Sequence, residues 1–273
     1  MILGRRRRQQ TAELPTLEQA RPAGEFVAEV LSHLRNVVEV GWNLLDVDAE
    51  AHRLIRERGA TSCYLDYAPA FGSGPFGHVI CTSLNDGVLH GRPHDRVLAD
   101  GDLLSLDFAV QVEGWVADSC LTIPVGTPRE EDLQLIRDTE QVMWAGIDQV
   151  RSGATVGDIG HAVMTAAHEL GYTINERFGG HGVGRTMHEA PFVPNHGTPG
   201  AGAELVAGQL ITVEPFLVPT TNELMIDERD GWTQLSADGS RGAHAEHTLQ
   251  VTDGAPVILT ARADDPAPRS SLG

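Results

Sequence analysis

With 273 residues, 41% of them hydrophobic, the chain can bury a sizeable core as one large domain or two fused halves. A formal charge of −18 at pH 7 and a pI near 4.9 argue against a binder of nucleic acid or of an acidic membrane surface. Cys63, Cys81 and Cys120 are too few and too scattered for a disulfide framework or a structural zinc site. No apolar run approaches the roughly 18 residues of a membrane span, and a reducing cytoplasm is the expected compartment.

The chain opens on Arg5-Arg6-Arg7-Arg8, followed by QQTAELPTLEQARPAGE. Without an apolar stretch this is not an export signal, and residues 1–15 read as a disordered basic tail. A helix pattern then runs through Val27, Val30, Leu31 and Leu34 to near Gly41. A second helix is expected to open at Asp46 as N-cap, bury Val47, Leu54 and Ile55, and stop at Gly59. Leu103 to Val112 and Trp115 to Pro124 are apolar, β-prone runs around Glu113-Gly114, a hairpin signal. Thr127-Pro128 with Glu130 predicts a capped helix carrying Leu133, Ile136, Met143, Ile147 and Val150 inward and ending at Gly153. Thr155 with Asp158 opens the next helix, which ends at Gly171. The terminal stretch ARADDPAPRSSLG is Pro-rich and polar, and 263–273 is expected to be a loose tail.

The two helix pairs share their punctuation. Gly41, Asp46 and Gly59 recur as Gly153, Asp158 and Gly171 at an offset of 112 residues. Each pair is followed by Gly-rich, strand-like sequence. A duplicated helix-plus-sheet half, with a site between the halves, accounts for both facts, and pockets commonly form at such junctions.

Four carboxylates and one imidazole stand out within those strand-like segments: Asp107, Asp118, His181, Glu214 and Glu246. Asp107 and Asp118 are 11 residues apart across the two-residue turn, so both side chains share one face, opposite or diagonal, within about 5–8 Å. The bland alternative is a pair of edge-strand aspartates that discourage aggregation. Two like charges about 4 Å apart repel by roughly 4 kcal/mol at an effective dielectric of about 20, so a buried carboxylate cluster calls for cations. The donor set suits two divalent ions of the Mn, Fe, Co or Zn kind, held about 3.5–4 Å apart by bridging carboxylates, and a water activated there would attack a carbonyl.

Among the 12 histidines most must be bystanders, and His90, His181 and His188 are set apart only by context. His181 lies in GGHGVG, His188 follows seven residues later, and His90 ends NDGVLH. CTSLNDGVLHG, the Asp107/Asp118 pair, GGHGVGRTMHEAP, ITVEP, DGWT and AEHTLQVT together resemble the motif series of bacterial type I methionine aminopeptidases, in order and with closely similar spacings, from about Leu17 to Leu259. The resemblance implies the pita-bread α/β (α+β) fold, with two pseudo-symmetric halves of helices and antiparallel sheet around a dinuclear site, as one catalytic domain over 16–262. It implies that Asp107 chelates one metal, that Asp118 and Glu246 bridge both, and that His181 and Glu214 bind the other. Glu214 would also shuttle a proton, His90 would lie near the scissile amide, and His188 would steady the carbonyl. Cys81 and Trp232 match positions lining the methionine side-chain pocket, for which plain core packing is the alternative.

Three departures bear on specificity. YLDYAPAFGSGPFGHVIC is longer than the family's usual segment, in a region that builds part of the substrate pocket. Met187 replaces a common aromatic residue in the pocket region; Met is apolar and adaptable. His244 replaces a common Gln two residues before Glu246, either as a titratable neighbour of the site or as a neutral hydrogen-bonding group behind it. The resemblance implies removal of N-terminal methionine from peptides or nascent chains. The same-fold alternative is an X-Pro aminopeptidase or prolidase, whose large extra N-terminal domain is not expected here, since only about 16 residues precede the first helix. A metal-free binding module on the same fold is the third reading, disfavoured by the intact ligand set. A transient ribosome contact would rest on four arginines alone, no specific nucleic acid is expected, and nothing demands more than a monomer.

Overall fold

The computed structural model describes residues 14–70, 72–263 and 265, so Arg5–Arg8 and most of the expected 263–273 tail lie outside it. The first half holds α1 (Leu17–Val37), α2 (Leu44–Arg58), β1 (Thr61–Ser62), β2 (Cys81–Leu84), β3 (Gly87–Leu89), β4 (Asp102–Val112) and β5 (Trp115–Val125). The second half begins with α3 (Glu130–Ile147), α4 (Val156–Glu169), β6 (Gly179–Val183), β7 (Glu189–Pro194) and β8 (Leu210–Val213). It ends with β9 (Phe216–Leu217), β10 (Leu224–Ile226), β11 (Gln234–Ser236), β12 (Ala243–His244), β13 (His247–Gln250) and β14 (Val257–Ile258). Among the described residues no helix is long and apolar enough to cross a membrane.

α1 begins at Leu17, after the expected 16 or so residues, where Thr16 and Gln19 form a capping box. The next two helix starts differ from the sequence reading. α2 is capped by Asn43, whose side chain accepts from Leu45 N; Asp46 is the third helical residue and accepts from Asn43 N at 3.0 Å. Either acceptor could close that turn, and the backbone becomes helical one step after Asn43. α3 starts at Glu130, with Arg129 rather than Thr127 at the cap position and no side-chain cap; Thr127 N donates to Asp100 Oδ1 at 2.5 Å. The acidic first turn of α3 (Glu130, Glu131, Asp132) complements its free amides instead. It also stops at Ile147, short of Gly153. α4 has the expected Thr155–Asp158 box.

The duplication is written in backbone hydrogen bonds. Gly41 N donates to Leu98 O, Leu98 N to Trp42 O, and Leu44 N to Arg96 O. In the second half Gly153 N donates to Leu205 O, Leu205 N to Ala154 O, and Val156 N to Ala203 O. Each helix pair is therefore clamped at the same turn by the strand approach that follows. In the first half α1 and α2 bury Val27, Leu31, Leu34 and Ile55 against Leu104, Phe108 and Val110 of β4. In the second, α3 and α4 bury Val142, Met143, Ile159 and Val163 against Ile211, Val213 and Leu249.

The sheets are antiparallel: β4 pairs with β1, β2 and β5, and the second sheet has the order β14-β13-β8-β6-β7. They meet at a seam where Cys120 bridges Glu246. Around it the contacts repeat with twofold logic. Thr248 Oγ1 accepts from Asp118 N and donates to Asp118 O, while Thr122 Oγ1 accepts from His244 N and donates to His244 O. Both buried threonines replace a missing ladder partner with a hydroxyl, which keeps the seam backbone satisfied.

Because Asn43 and Thr155 cap equivalent helices, Asn43→Ala and Thr155→Ala should each cost about 1 kcal/mol in equilibrium urea unfolding. A cost near zero for Thr155→Ala would remove the cap as a determinant of the second half.

Candidate metal centre and substrate pocket

The β4–β5 hairpin turns at Glu113-Gly114, both with positive φ (54° and 83°), as a two-residue turn of matched twist requires. Its register pairs Asp107 with Cys120 and Ala109 with Asp118, so the two aspartates are diagonal neighbours on one face. His181 sits on β6 at a register shift. The flanking glycines are needed for close approach: a Cβ at Gly180 would lie 2.3 Å from Thr212 O, and one at Gly182 would lie 2.4 Å from Ala190 O. Glu214 follows β8, and Glu246 stands between β12 and β13, one residue beyond the Val213–His247 pair.

Nine of the ten residues singled out in the sequence line one cavity of about 260 Å³: the acidic and imidazole groups Asp107, Asp118, His181 and Glu214 with His90 and His188, and the wall residues Cys81, Met187 and Trp232. The tenth, Glu246, lies behind them, 1% exposed. Ligand-capable atoms of Asp118, His181 and Glu246 all lie within 4.8 Å of one another, and so do those of Glu214, His244 and Glu246. His181 Nε2 is 3.9 Å from Glu214 Oε1, and His244 Nε2 is 3.7 Å from Glu214 Oε2. His181 Nδ1 is 3.0 Å from Gly182 O, so that nitrogen carries the proton and Nε2 keeps its lone pair toward the carboxylates.

The electrostatics match a site that needs cations. Burial, reinforced by Asp107, pushes the Asp118 carboxyl well above the usual range. Burial does the same to Glu214, with Asp107 adding, and to Glu246, with Asp118 adding. Burial holds the imidazoles neutral: His181 is pushed down to about 3, His90 and His244 to about 4, and His188 is lowered. Glu246 Oε1 and His244 Nε2 are buried without a hydrogen-bond partner. Orphaned acceptors among crowded carboxylates and neutral imidazoles fit divalent cations of intermediate hardness. For His244, this environment favours the neutral reading over a charged neighbour of the site.

Sequence reasoning missed Tyr64, whose hydroxyl bonds Asp107 Oδ1 and lies 3.2 Å from Asp118 Oδ1. Burial first, then Asp107 and Asp118, keeps this phenol protonated. It also missed Phe178, edge-on to His90 at 5.5 Å, and Tyr67, tilted against His188 at 5.3 Å. The only available signal was that Tyr64 and Tyr67 fall in the lengthened segment. That segment backs the apolar wall: Phe76 stands edge-on to Trp232 at 5.1 Å, and Tyr64, Phe76, Cys81, Met187 and Trp232 form one buried cluster.

Two pseudo-equivalent halves closing on such a cluster define a pita-bread protein with the donor set of a metallohydrolase. The chain belongs to metallopeptidase family M24, which it matches over residues 18–253. It is similar to a methionine aminopeptidase 1 of Mycobacterium tuberculosis, 41% identical over 252 residues that take in 89% of this chain and 92% of the relative. It superposes on the crystal structure of methionine aminopeptidase from Rickettsia prowazekii with a TM-score of 0.86 at 33% identity, covering 92% of this chain and all of that one. The prolidase of Pyrococcus furiosus shares the fold at a TM-score of 0.70 and 19% identity, with 91% of this chain set against 65% of that one.

Raised carboxyl pKa values mean that folding without metal takes up protons, so stability falls as pH climbs above the ordinary carboxylate range. The depressed histidines act oppositely: their contribution is full above about pH 6.5 and is lost as pH falls. A divalent cation takes the place of the carboxyl protons. Calorimetric Tm should therefore rise more on adding MnCl2 to chelated protein at about pH 7.5 than at about pH 5.5. An equal rise at both would exclude these carboxylates as the binding groups.

Proposed function

We propose that this chain is a metal-dependent aminopeptidase that removes methionine from the N-terminus of peptides or nascent chains. The observation that carries this reading is the continuity of one cavity: its floor is the carboxylate and imidazole cluster, and its wall is the apolar group Cys81, Met187 and Trp232. A cavity of about 260 Å³ suits one side chain and the bond beside it, rather than a threaded polypeptide. Cys81, Met187 and Trp232 would receive the methionine side chain; a sulfur-lined, polarisable wall suits a thioether.

Asp107, Asp118, His181, Glu214 and Glu246 would hold two divalent ions of the Mn, Fe, Co or Zn kind, with Asp118 and Glu246 shared between them. Bound there, the ions supply an acidified water and a polarised carbonyl. Glu214 would accept the proton of the attacking water and return it to the departing amine. His188, at the cavity wall and neutral, would donate to the oxygen on which negative charge develops. His90 would orient the scissile amide, its ring held edge-on by Phe178. We assign the reaction to a single unit, residues 16–262, acting as a cytoplasmic monomer; any contact of the basic N-terminal run with the ribosome would be transient.

Purified protein should release methionine from Met-Ala-Ser, lose this on chelation, and regain it with Mn or Co. Faster cleavage of Ala-Pro-Ala would move the assignment to the X-Pro class, and a folded protein that binds no divalent ion would favour a binding module. Asp118→Asn should lose both metal and activity in metal analysis and peptide assay. His188→Ala should keep its metal while turnover drops by about 10²–10³-fold; loss of metal there would remove His188 from its role in the transition state.

A further inference from the structure

The lengthened segment after β1 delivers a side chain into the carboxylate cluster. Cys63 N donates to Ala109 O at 3.2 Å and holds the chain against β4. Ser62 Oγ accepts from Tyr64 N at 3.1 Å and from Leu65 N at 3.3 Å, so the turn that aims Tyr64 is closed by the last residue of β1. The ring is 5.8 Å from Phe76 in an edge-on contact, which removes its freedom to swing out. Tyr64 is 6% exposed, and its hydroxyl reaches one oxygen of each hairpin aspartate.

Asp107 and Asp118 are the two like charges whose separation depends on side-chain torsions, because the hairpin fixes only their Cα positions. A carboxylate on a strand is otherwise free to rotate away from its neighbour, and repulsion favours that rotation. One phenol touching an oxygen of both removes that freedom.

We propose that Tyr64 is a positioning residue of the metal centre, its hydroxyl fixing the Asp107 and Asp118 carboxylates relative to one another and so setting the affinity for the ion that Asp107 holds. This rests on the two-metal reading above. The lengthened segment then has two tasks from neighbouring side chains: Phe76 backs Trp232 in the apolar wall, and Tyr64 orients the acidic floor.

The test is calorimetric titration of chelated protein with MnCl2 for the wild type, Tyr64→Phe and Tyr67→Phe, together with the cobalt visible spectrum of each. Tyr64→Phe keeps the ring and its contact with Phe76, so the unfolding midpoint of the metal-free protein should stay at the wild-type value. One equivalent of manganese should bind at least tenfold more weakly, the other should weaken less because it shares only Asp118, and the cobalt spectrum should shift. Tyr67→Phe also loses a phenol on the same segment, but its ring lies against His188 and Trp232, and both equivalents should bind as in the wild type. The inference is overturned if Tyr64→Phe binds both equivalents with wild-type affinity. It is equally overturned if both weaken together and the metal-free protein melts earlier, which would mark a packing role. A wild type that binds no manganese would instead refute the metal centre itself.

Discussion

The structure depends on keeping four carboxylates crowded at one cavity, Asp118 and Glu246 buried and Asp107 and Glu214 half-buried. Such a cluster cannot be a product of side-chain packing alone, because the groups repel and each would prefer solvent. It has to be imposed by backbone that cannot yield. The long β4–β5 hairpin supplies two of the carboxylates, and the β8 and β12–β13 segments supply the others. Ser119, Thr122, Thr212 and Thr248 hydrogen-bond the main chain of these segments with their hydroxyls. Rigid rails hold together groups that repel one another as charges.

The rails come from duplication, but the ligands do not simply repeat. Leu98 and Leu205 are equivalent clamps, and the same spacing leads from Asp107 to Glu214. Across each pair of strands the partners are Cys120 and Glu246, which bridge each other at the seam. Two residues before these stand Asp118 and His244, each held by the same threonine motif. The scaffold thus offers six related positions, and the chain fills them with four carboxylates, one thiol and one imidazole. Symmetry brings the groups together, while their different chemistry makes the two sides of the centre unequal. His244 therefore occupies the counterpart of a position that carries a carboxylate in the other half.

The proposed side-chain pocket is the apolar side of the same cavity. Trp232 is clasped between the lengthened segment and the main body: Ser73 N donates to Gly231 O, and Phe76 meets the indole edge-on. Met187 lies in the same cluster, where an unbranched thioether conforms to these neighbours with little cost in shape. The segment that shapes the wall is thus also in contact with the acidic floor.

Much of this was readable from local pattern. Asp107 and Asp118 were placed on one face because strand side chains alternate strictly and the turn between them is two residues long. The Thr155–Asp158 cap was legible for a similar reason, since reciprocal capping uses residues three apart. The repeat emerged from glycine and aspartate spacing, and the motif series singled out the five proposed ligands with His90, His188, Cys81 and Trp232 through resemblance. Where local signals competed, reading failed: Asn43 and Asp46 both suit a helix start, and Thr127 has cap chemistry although the helix begins only after Arg129. The sequence by itself determined which residue types lie on which face of each element, because helical and strand periods act over a few residues. Only the tertiary structure decided that Cys120 would meet Glu246, that the free nitrogen of His244 would face Glu214, and that Tyr64 would reach both hairpin aspartates. Those contacts join residues far apart in the chain, and their geometry follows from how two packed halves close on one another.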